Sequence, residues 1–210
     1  MMTRITIRRA LRWATTAALS CAFAAASAQV SSYGDKQMGE NSGDQLPTVL
    51  QKVGIEQHLN AQLPLDAQFV DDGHTVRLGD YFGQRPAIVS LVYYNCPMLC
   101  SEEMDGLAGA LEMVKLTPGK DFEVIVISID PTETPELAAK KKAFYLKRYG
   151  RPETANGWHL LTGQRTSIDK VTEAVGFGYV RVPGPDGKLT QFAHASSIQV
   201  VTTDGKLAQY

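Results

Sequence analysis

The stretch "AIVSLVYYNCPMLC", residues 87–100, runs from a near-continuous apolar and aromatic segment into a cysteine, a proline and a second cysteine. Branched and aromatic residues without polar alternation are what a strand buried on both faces requires, and such strands belong to sheets covered by helices. Pro97 suits the first position of a helix, so the segment reads as strand, turn and helix, with Cys96 at the cap and Cys100 one turn in.

Outward from this point the pattern recurs. "FEVIVISID" (122–130) reads as a second buried strand and "WHLLTG" (158–163) as a third. Between them Leu99, Leu107, Leu111 and Val114 form one helical stripe, closed by Pro118-Gly119. Residues 135–149 read as a helix with Thr134 as N-cap and Pro135 in first position, and 167–175 as a shorter one. "FVDDGHTVRL" (69–78) and "SIQVVTTDGKLAQY" (197–210) read as hairpins around Asp72-Gly73 and Asp204-Gly205. Strands alternating with helices predict an α/β domain in a thioredoxin-like order: a mainly parallel central sheet flanked by helices, with a terminal β-hairpin. Sites in such sheets gather at the carboxyl ends of the strands, where Cys96 and Cys100 fall.

The chain has 210 residues, 44% hydrophobic and 20% charged, with a formal charge of −1, and gives no reason to expect a nucleic-acid partner. Its first 28 residues stand apart. Arg4, Arg8, Arg9 and Arg12 precede an apolar run over 13–26 and the small-residue sequence "ASA" at 26–28, the order of a secretory signal peptide cleaved after Ala28. The apolar run is short of the ~20 residues that span a bilayer, so a retained membrane anchor is the second reading. Residues 29–48 are polar and read as a flexible lead-in, leaving 49–210 as the folded domain. Cleavage would remove four arginines and Cys21, moving the formal charge to about −5 and leaving two cysteines in an oxidising compartment.

In that compartment Cys96 and Cys100 could form a structural disulfide, a redox couple or half of a metal site. A spacing of four places both sulfurs on one helix face, and the helix N-terminus favours the thiolate form of each. Two thiolates suit Cu(I), and an added imidazole would also hold Cu(II). The four histidines are His58, in a polar stretch read as helical and solvated; His74, beside a hairpin turn; His159, opening a strand, where packing or a hydrogen bond is expected; and His194, ahead of the last hairpin. Spacing alone does not choose among them. Met98 and Met104 carry thioethers but read as packing residues. Asp130 reads as a cap for the turn at Pro131, and Lys140 to Lys142 as the wet face of a helix.

The motifs "YYNCPMLC" (93–100), "VISIDPTETPE" (126–136), "WHLLTG" (158–163) and "FAHASSIQVVTTDGK" (192–206) resemble those of the Sco/SenC family, copper chaperones for cytochrome c oxidase. The resemblance spans about residues 53–210. It implies a thioredoxin fold and one copper ion, Cu(I) or Cu(II), held by Cys96, Cys100 and His194. As partners it implies the copper-binding subunit of the oxidase and other periplasmic copper carriers. It also implies a further C-terminal stretch ending in a helix, so that the domain reads either as cut short at Tyr210 or as ended by its last hairpin. The expected function is thus a periplasmic copper metallochaperone. The alternative is a thiol–disulfide oxidoreductase that keeps the target's cysteines reduced, with Cys96 and Cys100 as its catalytic pair and no need of the histidine.

Overall fold

The computed structural model describes residues 48–96 and 99–210; the expected export segment, the lead-in up to residue 47, and Pro97-Met98 lie outside them. In chain order the strands and helices are β1 (Gly54–Ile55), β2 (Gln68–Asp71), β3 (His74–Arg77), β4 (Ala87–Val92), α1 (Leu99–Met113), β5 (Glu123–Ser128) and α2 (Pro135–Tyr149). They continue with β6 (Trp158–Gly163), α3 (Arg165–Ala174), β7 (Phe177–Val182), β8 (Gln191–His194), β9 (Ile198–Val201) and β10 (Leu207–Gln209).

Seven strands form one sheet in the order β10-β9-β4-β5-β6-β2-β3. Its centre is what the apolar runs demanded. β4 pairs in parallel with β5, and β5 with β6, and every position of β5 is buried. Such strands need cover on both faces, and α2 packs against both β6 and α1. Trp158, Tyr149, Phe69 and Leu91 are among the largest fully buried side chains of the core.

The sheet is mixed rather than mainly parallel. β9-β10 and β2-β3 add antiparallel hairpins at its two edges, and β9 and β2 also run antiparallel to the inner strands they meet, β4 and β6. A two-residue turn can return a chain only antiparallel, which accounts for β2-β3; the sense of β9 against β4 and of β2 against β6 is set by pairing across long separations. At the β2-β3 turn Asp72 and Gly73 both have positive φ (46° and 83°), the pair of left-handed residues that a tight hairpin requires.

Other boundaries held or moved for identifiable reasons. Thr134 caps α2 through Leu137 N–H to Thr134 Oγ1 (3.3 Å), with Pro135 in first position. Helix α1 stops at Met113, short of Pro118-Gly119. There the Arg151 guanidinium donates to the carbonyls of Glu112 and Val114, which terminate the helix, and Val114 is exposed. The polar stretch around His58 is not helical. Lys140 is exposed, but Lys142 reaches Asp72 on the β2-β3 turn at 2.6 Å.

A second sheet, β1-β7-β8, was not anticipated. β7 and β8 are an antiparallel hairpin around "PGPDGKLT" (183–190), and its register places Tyr179 opposite His194. Gly176 admits the chain to β7: φ is +60°, and a Cβ there would lie 1.8 Å from the Glu56 carbonyl oxygen. The Glu56 N–H in turn bonds the Gly176 carbonyl at 2.8 Å, which seats β1 on β7. Gly176→Ala is therefore expected to destabilise the protein by more than ~2 kcal/mol, through both strain and lost pairing. Urea denaturation of the variant beside wild type measures this, and an unchanged midpoint would contradict it.

Candidate metal centre

Cys96 follows the turn that leaves β4, its N–H bonded to the Tyr93 carbonyl at 3.2 Å. Cys100 lies in the first turn of α1, and its N–H points back at Cys96 Sγ over 3.4 Å. A sulfur thus occupies the role a capping oxygen usually plays at a helix N-terminus. The two sulfurs are not bonded to one another.

His194 ends β8 and is nearly buried, at 8% exposure. Its Nδ1 lies 2.7 Å from the Ala195 carbonyl, which can only accept, so Nδ1 carries the proton. Nε2 is then a lone pair, aimed at Cys100 Sγ 3.1 Å away, and it accepts the thiol proton. The imidazole is held between the edge of Tyr93 and the ring of Phe177, each at 5.8 Å between centroids. Phe192 packs on Tyr93 at 5.2 Å and completes an apolar wall.

The donor atoms of Cys96, Cys100 and His194 lie within 4.8 Å of one another, and among the described residues no other such group of histidine, cysteine and acidic side chains occurs. A trigonal ion with bonds of about 2.2 Å holds its donors roughly 3.8 Å apart. To hold such an ion the Cys100 Sγ and His194 Nε2 pair, now 3.1 Å apart, would open by about 0.7 Å, while any wider pair would close by about 1 Å or less. Two sulfurs with one imidazole nitrogen suit a soft ion. One expectation fails here. Cys100 is not thiolate-prone: burial pushes its thiol up, and the neighbouring Cys96 and Glu103 add to the effect. The helix N-terminus does not overcome that desolvation. A bound cation would, because it takes the place of the thiol proton.

Two carboxylates that escaped sequence reasoning organise the surroundings. Glu133, in the loop before α2, is buried and accepts from the N–H groups of Tyr94 and Asn95, both at 2.7 Å, and from Ser128 Oγ at 2.6 Å. It holds the turn that delivers Cys96. Burial raises its pKa, against the effect of these three donors. Glu103, one turn past Cys100, accepts from Ser90 Oγ (2.5 Å) on β4 and from Ser196 Oγ (2.6 Å) beyond β8. Apart from its place in the "TET" that follows Asp130-Pro131, Glu133 carried no usable signal, and Glu103 looked like any helix glutamate.

The remaining candidates lie elsewhere. His159 sits between Asp71 (2.8 Å) and Glu123 (3.3 Å) and packs on Tyr81, at the opposite end of the parallel strands. Burial raises the Asp71 carboxyl, but hydrogen bonds from His159 and Tyr81 outweigh it and hold the group below its ordinary value. His58 is half-buried near the Ala174 carbonyl, and His74 opens β3. Met104 is buried in the core, and Met98 lies outside the described residues. Asp130 caps its turn through Thr132 and also pairs with Arg181 of β7 at 3.3 Å.

A family model described as SCO1/SenC matches residues 61–210. The chain belongs to the SCO1/SenC family. Among curated proteins none matches it in sequence. Among solved structures it is similar to an Aquifex aeolicus VF5 protein assigned to electron transfer, with 26% identity and a TM-score of 0.59, covering 73% of this chain and 83% of that one. It is similar in fold to Bradyrhizobium japonicum ScoI, solved with copper bound, at 22% identity and a TM-score of 0.55 over 72% of this chain and 88% of that one. The same holds for Arabidopsis thaliana ScoI, also solved with copper bound, at 20% identity and a TM-score of 0.56 over 72% and 86%. The α/β, thioredoxin-like fold expected from the order of elements is borne out.

The buried Glu133 carboxylate yields a direct test. Glu133→Gln keeps the volume but turns an NH2 group towards a donor, leaving a backbone N–H at the cysteine turn without an acceptor. The expected cost is ~1–3 kcal/mol by chemical denaturation. A variant as stable as wild type would show that Glu133 does not hold this turn.

Proposed function

We propose that this SCO1/SenC protein is a copper metallochaperone, with Cys96, Cys100 and His194 as the donors that carry its cargo. The observation that carries the reading is the 3.1 Å approach of His194 Nε2 to Cys100 Sγ, with the other ring nitrogen already committed to a carbonyl. The ring thus presents its lone pair to the sulfur pair before any ion arrives, so little reorganisation is needed to bind one. Copper supplies no chemistry of its own here beyond being held and passed on. The protein's part is to exclude water with Tyr93, Phe177 and Phe192, to keep the imidazole tautomer, and to give up the thiol protons.

Two thiolates alone hold Cu(I), whereas Cu(II) needs the imidazole. His194→Ala should therefore weaken Cu(II) by far more than Cu(I), and Cys96→Ser or Cys100→Ser should weaken both. Because loading displaces protons from thiols, affinity should fall by at least about one decade per pH unit below the thiol pKa, and vanish when the cysteines are joined as a disulfide. Metal content, the thiolate-to-Cu(II) charge-transfer band and chelator competition across pH measure these effects. A wild-type protein that takes up no copper in the reduced state would end this reading.

One observation favours thiol–disulfide exchange as the second reading. Cys96 is partly exposed while Cys100 is buried, the asymmetry of an attacking and a resolving thiol. The two readings separate at His194, since exchange does not need the imidazole. Insulin reduction unaffected by His194→Ala, with copper uptake absent, would favour the reductase.

The cellular setting we infer is export through residues 1–28 to the periplasm, with 49–210 as the working domain, and delivery to the copper-binding subunit of cytochrome c oxidase, in exchange with other periplasmic copper carriers. The basic, apolar and small-residue order at the N-terminus supports export, and no helix among the described residues is long and apolar enough to cross a membrane. N-terminal sequencing of the exported protein should begin near Gln29, and a start at Met1 would indicate a retained anchor instead.

A further inference from the structure

We propose that Glu103 is the positioning residue for His194, a reading that rests on the three-donor site proposed above. Three elements meet at its carboxylate. It projects from α1 one turn past Cys100, accepts Ser90 Oγ on β4 at 2.5 Å, and accepts Ser196 Oγ, two residues beyond His194, at 2.6 Å. Ser90 is fully buried in the central sheet, whereas Ser196 is exposed on the connection between β8 and β9. The carboxylate therefore ties an otherwise solvent-facing connection to the same helix that carries Cys100.

That tie acts on the imidazole because the connection is short. His194 Nδ1 bonds the carbonyl of Ala195, and Ser196 is the next residue, so the atom that selects the ring tautomer lies directly beside the clamped one. The following serine is held as well: Gln199 Nε2 donates to Ser197 Oγ at 2.7 Å. Hydrogen bonds to a charged carboxylate are among the stronger ones available to a surface segment. Without Glu103 the Ala195 carbonyl can turn away, Nδ1 loses its fixed partner, and the lone pair at Nε2 is no longer held towards Cys100. The cysteine pair, built on β4 and α1, is unaffected by that loosening.

The test uses Glu103→Ala, Glu103→Gln and Ser196→Ala, the last at an exposed position where folding is not at stake. In the reduced metal-free protein, nitrogen-detected NMR of the His194 ring should show a single Nδ1–H tautomer for wild type and an averaged ring for Glu103→Ala and Ser196→Ala. Glu103→Gln should restore the wild-type signature, because an amide accepts from one serine and donates to the other. With copper, Glu103→Ala and Ser196→Ala should lose about 10- to 100-fold in Cu(II) affinity, while Cu(I) affinity changes by less than about threefold. Wild-type tautomer and wild-type Cu(II) affinity in both variants would overturn the proposal, whatever happens to melting temperature. If wild type takes up no copper, the chaperone reading falls, and the metal-free ring signature still decides whether Glu103 positions His194.

Discussion

Strand β4 is hydrogen-bonded on both sides, in parallel to β5 and antiparallel to β9, and these opposite senses decide what meets at its carboxyl end. The chain leaving β4 must turn there, and that turn delivers Cys96 and then Cys100 at the start of α1. The chain entering β9 must arrive there too, because Ser90 faces Ile198 across the antiparallel pair. His194 lies just upstream of Ile198 and so reaches the sulfurs despite a separation of 94 residues from Cys100. A parallel β9 would have placed the histidine at the far end of the sheet, beside the His159 cluster.

The chemistry of the site follows from how little water reaches it. Cys100 and His194 are both buried, and aromatic rings close off the imidazole. In that setting a thiolate without a cation is costly, which is why burial pushes the Cys100 thiol up although it sits at a helix N-terminus. The metal-free site stores a proton between sulfur and nitrogen, where an ion would otherwise lie. A soft cation binding there would release that proton, and losing the cation would take one up again.

Two glutamates act at a distance from the donors. Glu133 fixes the turn that precedes Cys96, and Glu103 joins the Cys100 helix to the segment that follows His194. Each uses a carboxylate's several lone pairs to gather donors from different elements, which a neutral side chain does less well. Both were invisible in the sequence. A helix glutamate next to a second one, and a glutamate among threonines, are read as solvated until the partner strands are in place.

What the amino-acid sequence determined by itself was everything set by short-range pattern. The apolar runs of β4, β5 and β6, the Thr134-Pro135 start of α2, the Asp-Gly hairpin turns and the Cys96–Cys100 spacing all follow from periodicity and local sterics. Resemblance of motifs added His194, which spacing did not single out. Tertiary structure alone decided the mixed sense of the sheet, the second sheet that carries His194, the tautomer of its ring and the protonated state of Cys100. These depend on which strands pair across long separations and on how much water that pairing excludes, and neither quantity is encoded in the period of any one segment.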